Sequence, residues 1–359
     1  MITDAEVFIL DTKDISGMRY DNIYDFECMY KAYRASLRGK CWKASTNRYR
    51  VNALERIVYQ KNALKKREYE MGNYNVFKIT EPKERTIKAT SFSDKVVQRS
   101  LCDNVLEPVF ERSLIYDNYA CRRGKGTHAA LKRTEQFYRQ AFKKHGLDVW
   151  VLKCDVEKYF DSIDHEELKK LMRKYFNEPD LLGLLDNIIS SSGGSCGVPI
   201  GNQSSQWFAI TFLNGLDHLI KEKLRIKWYV RYMDDFMLVH HDREYLRYCK
   251  RVIEEYLAGL KLSLNGKSHI FPLAHGVDFL GFHTYVTSTG KLIKKVRHDS
   301  NKRIKRKLKK FKVLYEKGER SEKQISQAYN SWKNHAKHGD SFYLRKMMDE
   351  KYKIIFEKD

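Results

Sequence analysis

Residues 226–241, IKWYVRYMDDFMLVHH, set two adjacent aspartates between two apolar runs, a pattern that few folds accommodate. The runs on either side of Asp234 and Asp235 read as strands, and the acidic stretch between them as a hairpin turn. Apolar strands bury the surroundings of that turn, and burying like charges is costly unless a cation neutralises them. A third acid, Asp155, ends another apolar run, VWVLKCD, which reads as a buried strand. An isolated Asp-Asp pair is most often a surface turn; strands on both sides and a third strand-end acid change that weighting. Hard oxygen ligands at this density suit Mg²⁺ held partly by carboxylates and partly by substrate phosphates. Two such ions can clamp an attacking hydroxyl, the reacting phosphorus and a leaving pyrophosphate.

From residue 148 the order is strand, helix (HEELKKLMRKYF), helix (WFAITFLNGLDHLIKEKL), hairpin, helix (REYLRYCKRVIEEYLAGL). That order predicts an α+β fold, with an antiparallel sheet and helices packed on one face. Upstream, residues 74–82 and 84–89 read as a strand pair, and 93–112 as a helix with Ser93 as N-cap. Residues 1–75 read as largely helical, with interleaved Tyr, Arg and Lys. They form either an extension that touches nucleic acid or an ordinary amphipathic subdomain. Residues 291–320 hold 14 Lys or Arg against 3 Asp or Glu. Ile304, Leu308, Phe311 and Tyr315 recur there at helical spacing, so one face can pack while the other tracks phosphates.

Charge supports that division. The 359 residues carry a formal net charge of +22, an excess that favours a polyanionic partner through counterion release. Seven cysteines without C-x-x-C spacing disfavour a disulfide framework or zinc knuckle and fit a reducing cytoplasm. The first residues carry early acids and only a short apolar run, unlike a signal peptide, and no run reaches the ~18 residues of a membrane span.

Tyr232-Met233-Asp234-Asp235 matches the YxDD box of reverse transcriptases, and Asp155 to His165 resembles that family's motif D-x-x-x-[FY]-F-[DN]-x-I-x-H. Lys83 to Ile87, Asp94 to Gln98 and Tyr116 to His128 look like the fingers segments of group II intron-type enzymes. Leu264-Asn265-Gly266-Lys267 is similar to the lysine-bearing motif, and Phe279-Leu280-Gly281-Phe282 to the primer-grip turn. The matches run in family order from 83 to 282. The resemblance implies a right-hand polymerase: an N-terminal helical extension (1–75), fingers (76–147), a palm (148–288, with part of the fingers interleaved) and a basic helical thumb (289–359). It implies catalysis by Asp155, Asp234 and Asp235, and two Mg²⁺ ions (Mn²⁺ as substitute) at Asp155, Val156, Asp234 and Asp235. Lys83, Arg85, Phe160, Ile200, Gly201, Gln206 and Lys267 would surround a deoxynucleoside triphosphate, with Phe160 excluding a 2′-hydroxyl. Phe279, Leu280, Gly281 and Phe282 would hold the primer end. Arg122, Arg123, Lys125, Lys302, Arg303, Arg306 and Lys310 would contact template RNA and the RNA/cDNA duplex.

One departure narrows the resemblance. Val198-Pro199-Ile200-Gly201-Asn202-Gln203-Ser204-Ser205-Gln206 carries an apolar residue where group II-like enzymes have the glutamine of P-Q-G. The pattern I-G-x-x-x-S-Q resembles reverse transcriptases of diversity-generating retroelements, as does Ser331 to His338. Those enzymes copy a template RNA with errors at adenines and work with a basic accessory protein. Isoleucine cannot hydrogen-bond a nucleotide, so discrimination would fall by the ~1–3 kcal/mol of a lost polar contact. A prokaryotic or phage origin follows from the same resemblance. The tail leaves room for a thumb but hardly for an RNase H domain. A phage-defence or intron-maturase role and a non-catalytic splicing cofactor are the competing expectations; intact acids weigh against the last.

Overall fold

The computed structural model describes residues 19–80 and 84–355, and four helices come first: α1 (Asp21–Tyr24), α2 (Phe26–Leu37), α3 (Ala44–Val51) and α4 (Ala53–Lys65). Asp25 caps α2 by accepting the Cys28 N–H. The apolar faces of these helices (Ile23, Met29, Ala32, Ile57, Leu64) enter the main core instead of forming a core of their own. Strands β1 (Asn75–Ile79) and β2 (Arg85–Ala89) pair antiparallel as a separate two-stranded hairpin, exposed along β1 and half-buried over 87–89. Lys83 lies outside the described residues.

Helix α5 (Phe92–Leu101) runs through a π-helical turn, Cys102–Leu106, into α6 (Glu107–Ser113). Its cap is Ser91, not Ser93. The Ser91 hydroxyl accepts the Asp94 N–H, and the helix starts early enough to bury Phe92 against Tyr49. Helix α7 (Thr127–His145) follows; no expectation covered it.

The palm sheet is built from β3 (Trp150–Asp155), β4 (Trp228–Tyr232), β5 (Asp235–His240) and β6 (His269–Pro272), in the order β4-β5-β3-β6, all antiparallel. Between β3 and β4 come α8 (Tyr159–Ser162), α9 (His165–Tyr175), α10 (Pro179–Ser190), α11 (Gln203–Phe212) and α12 (Asn214–His218); α13 (Arg243–Gly259) joins β5 to β6. Side chains alternate across a strand. Leu152, Cys154, Tyr229, Phe236 and Leu238 accordingly pack with α9–α13 in the main core. Val151, Val230, Met237 and Val239 point the other way, where α7 covers them with Leu131, Phe137 and Tyr138. The expectation of helices on one face therefore needs one exception, α7.

A second sheet, β7 (Val277–Phe279), β8 (Phe282–Val286) and β9 (Leu292–Val296), adjoins that second face. Its last strand lies beyond the expected boundary at 288/289: residues 292–296 pair with 282–286 and do not start a helix. Helices α14 (His298–Glu316), α15 (Glu322–Ala336) and α16 (Phe342–Lys353) then form a third core around Ile304, Leu308, Phe311, Ile325, Tyr329 and Met348. Tyr315, expected on the same stripe, is 37% exposed.

Candidate active site

Strands β3 and β5 pair with Asp155 directly opposite Asp235. Directly opposed residues in an antiparallel pair share a face, so both carboxylates leave the sheet on one side. The next opposed pair on that side is Lys153 and Met237. Tyr232 pairs with Asp235 and leaves Met233-Asp234 as a two-residue loop. Such loops match strand twist only with positive φ, and Met233 has φ 62°. For a residue other than glycine that conformation costs about 1–2 kcal/mol.

Three backbone tethers fix this corner. The Val156 N–H donates to the Asp234 carbonyl (3.3 Å), the Asn265 N–H to the Asp155 carbonyl (2.7 Å), and the Glu157 N–H to the Ser263 carbonyl (3.0 Å). The Asp155 N–H in turn donates to Ser268 Oγ at 3.2 Å. The Leu264 to Lys267 turn is thereby held against the Asp155 backbone, with Lys267 exposed beside it.

Lys153 is the group that the sequence reading passed over. Its Nζ is in ion-pair contact with Asp235 and lies 5.2 Å from the Phe279 ring centroid. Burial pushes its ammonium down to about 8, against the pull of Asp155 and Asp234. Burial also pushes the Asp234 carboxyl above its ordinary value; Asp155 adds to the rise, and Lys153 and Arg85 oppose it. A lysine two residues before a strand-end acid, on the same face by alternation, was the available signal. Among the described residues no three His, Cys, Asp or Glu converge into a ready cation cage. With one Asp235 oxygen engaged by Lys153, the donors left for a cation are the Asp155 and Asp234 carboxylates and the expected Val156 carbonyl. That set fits Mg²⁺, which uses one or two carboxylates and completes its shell with water and phosphate oxygens.

Phe160, half-buried, accepts the Val198 N–H on its backbone carbonyl (2.8 Å), which joins α8 to the 198–202 loop. Ile200 lines a cleft with Thr86, Lys88 and Asp161. Gly201 is sterically required, because a Cβ there would overlap the Lys88 carbonyl oxygen. Gln206 lines a neighbouring cleft together with Gly201, Arg99, Asp103 and Arg123.

At the expected primer grip, Phe279 and Phe282 are opposed on β7 and β8 and buried, so their rings serve the core. What the hairpin can present is the Leu280-Gly281 turn, with φ 47° and 90°. His335 backs it: a Cβ on Gly281 would stand 2.9 Å from His335 Nε2, and the His335 and Phe282 rings are 4.6 Å apart.

The expected nucleic-acid contacts divide. Arg122 is corrected: its side chain is 6% exposed, doubly bonded to Glu111, and donates to the carbonyls of Ile115 (2.6 Å) and Asn118 (2.9 Å). It acts as an internal brace: four of its five N–H donors are taken within the protein. Arg123 is exposed and paired with Glu107. Lys125 lies 3.9 Å from the Tyr116 ring centroid, and burial pushes it down to about 8. Lys302, Arg303, Arg306 and Lys310 are all exposed on α14, but Lys302 and Arg306 flank a groove toward α16 that Arg303 and Lys310 do not line.

Known proteins share much of this chain. Among curated proteins, Protein YkfC of Escherichia coli (strain K12) is 25% identical over 244 residues, which is 55% of this chain and 62% of that protein. The chain thus spans less than two thirds of that relative's length. Among solved structures, telomerase from Candida albicans with a TWJ fragment of telomeric RNA aligns at 14% identity and TM-score 0.48, covering 64% of this chain and 46% of that one. Apo telomerase from Candida tropicalis aligns at 14% and TM-score 0.45, covering 63% and 49%. Residues 72–284 match the family described as Reverse transcriptase (RNA-dependent DNA polymerase). That match takes in both acidic strand ends, the Ile200 loop and the Leu280-Gly281 turn, and the chain belongs to the reverse transcriptase family.

Proposed function

We propose that this chain is an error-prone RNA-directed DNA polymerase of a diversity-generating retroelement, working by two-metal phosphoryl transfer. The observation that carries the reading is the register of Asp155 opposite Asp235, with Asp234 in the adjoining turn. Asp155 and Asp234, with the Val156 carbonyl, would hold the divalent ions, and Asp235, in contact with Lys153, would support them. When bound, the ions supply charge for the attacking hydroxyl and the leaving pyrophosphate. Arg85, whose charge lowers the Asp234 carboxyl, binds the triphosphate in this reading. Phe160 stands under the sugar, and Lys267 faces the leaving group. The Leu280-Gly281 turn holds the primer end, and the exposed bases of α14 follow the duplex backbone.

Low fidelity rests on the Ile200 cleft, where no side-chain amide stands at position 200 to fix the pose of the incoming nucleotide. Primer extension on an RNA template with Mg²⁺ tests the core of the reading: wild type extends and Asp234→Ala does not. Sequencing the products tests the finer claim. Errors concentrated at template adenines, reduced in Ile200→Gln, support it. Equal spectra remove Ile200 from the explanation, and errors without adenine bias favour a reverse transcriptase of another role.

A further inference from the structure

The catalytic hairpin is held from beneath by a charge pair that polymerase chemistry does not itself require. Arg231 lies on β4 opposite Phe236, on the face of the sheet away from the carboxylates. It is the largest fully buried side chain among the described residues, and both it and Asp217 are 0% exposed. Nε and Nη2 grip the two oxygens of Asp217 at 2.7 and 2.6 Å, and Nη2 also donates to the Ile210 carbonyl at 2.9 Å. The remaining terminal nitrogen, Nη1, donates to the Met233 carbonyl at 2.9 Å. Asp217 is saturated in turn by the Tyr229 hydroxyl (2.6 Å) and Asn118 Nδ2 (3.3 Å). The partners come from five separate segments: α11, α12, β4, the Met233 turn and the 117–119 segment.

Holding the turn this way answers a specific need. Met233 is the residue at φ 62°, and its carbonyl belongs to the peptide that leads into Asp234. A non-glycine residue in that conformation persists only where its surroundings over-determine it. Fixing the carbonyl fixes the peptide plane, and with it the direction in which the Asp234 side chain leaves the backbone. A buried ion pair is a poor means of gaining stability, because apolar residues of similar volume commonly serve as well. A planar guanidinium, by contrast, can bind one carboxylate in two-point fashion and still reach a carbonyl at fixed geometry.

We infer that Arg231, locked by Asp217, is a positioning residue that aims Asp234 by clamping the Met233 carbonyl. The inference rests on Asp234 being the catalytic carboxylate.

The test separates aiming from folding by exchanging the whole pair. Arg231→Met with Asp217→Leu removes both charges and leaves no ion unpaired in the core; the Tyr229 hydroxyl, the Asn118 amide and the Ile210 and Met233 carbonyls lose a partner, so its melting temperature falls and kcat is read well below it. Its kcat in primer extension falls about a hundredfold, the scale of a misplacement near 1 Å, while KM for the nucleotide and Kd for primer–template hold within about threefold. Wild-type kcat in the double variant overturns the inference. Arg231→Lys keeps a charge on Asp217 but loses the fixed fork to Met233, so kcat falls by more than about tenfold even if the double variant is unstable. Unchanged kcat in Arg231→Lys also overturns it. Asp234→Ala runs beside both; extension by that variant would sink the catalytic assignment itself, whatever Arg231 does.

Discussion

At the scale of single residues, one acid of this site, Asp234, works against the fold that carries it. Burial holds the Asp234 carboxyl above its ordinary value. For an aspartate raised in this way, the unfolded chain releases its proton first as pH rises, so the destabilisation is absent in acid and complete above the folded-state value. Asp234→Asn therefore melts higher than wild type in metal-free buffer at neutral pH, and the gain shrinks as pH falls through the carboxylate range. Thermal melts across that range check it; identical curves for the two proteins would mean that Asp234 is not desolvated. Gly201 sets a steric limit of a different kind. With the Lys88 carbonyl where its Cβ would go, Gly201→Ala must push β2 away from the 198–202 loop. The expected result is a KM for nucleotide raised about tenfold or more, since a shift near 1 Å has large kinetic effects. Unaltered kinetics would show that β2 moves freely. The three aspartates were legible in the sequence because apolar runs frame them. Lys153 and Arg231 were not, because one charged residue inside a strand pattern does not say which partner neutralises it.

At the scale of elements, pattern and context part company. The strand pair 75–79 and 85–89, the hairpin at 233–234 and the long helix of α13 all follow from periodicity and turn chemistry, and appear with small boundary shifts. Strand β9 did not, because KLIKKV is as basic as the helix after it and only pairing with β8 makes it a strand. Ile200 and Gln206 line adjacent clefts, the second shared with Gly201, a division that sequence spacing does not show. Arg122 shows the same limit: an arginine beside Arg123 and Lys125 reads as phosphate-binding until Glu111 and two carbonyls take its donors. Arg122→Ala should cost about 1–3 kcal/mol, because it strands the Ile115 and Asn118 carbonyls and leaves the 39% exposed Glu111 carboxylate to water. Denaturant unfolding measures that loss, while RNA affinity of the folded fraction stays near wild type. A selective loss of RNA binding at unchanged stability would restore the nucleic-acid role.

For the molecule as a whole, the net charge of +22 makes affinity for any nucleic acid a function of salt. Each phosphate contact adds about 0.7 to 0.9 to the slope of log affinity against log salt. Arg303→Ala with Lys310→Ala should lower the slope by about 1.4 to 1.8 if both follow the duplex. A double variant with the wild-type slope would move the duplex off that face of α14. The same scale gives the second sheet its meaning. Five register pairs join β8 to β9, and β9 passes into α14 with one residue, Arg297, between them. That residue's N–H donates to the Gly281 carbonyl at 3.2 Å. The basic helices and the Leu280-Gly281 hairpin are therefore successive parts of one strand-bonded lever with no slack linker. A displacement of α14 is therefore carried along β9 to the Leu280-Gly281 turn, with no slack segment between them to absorb it.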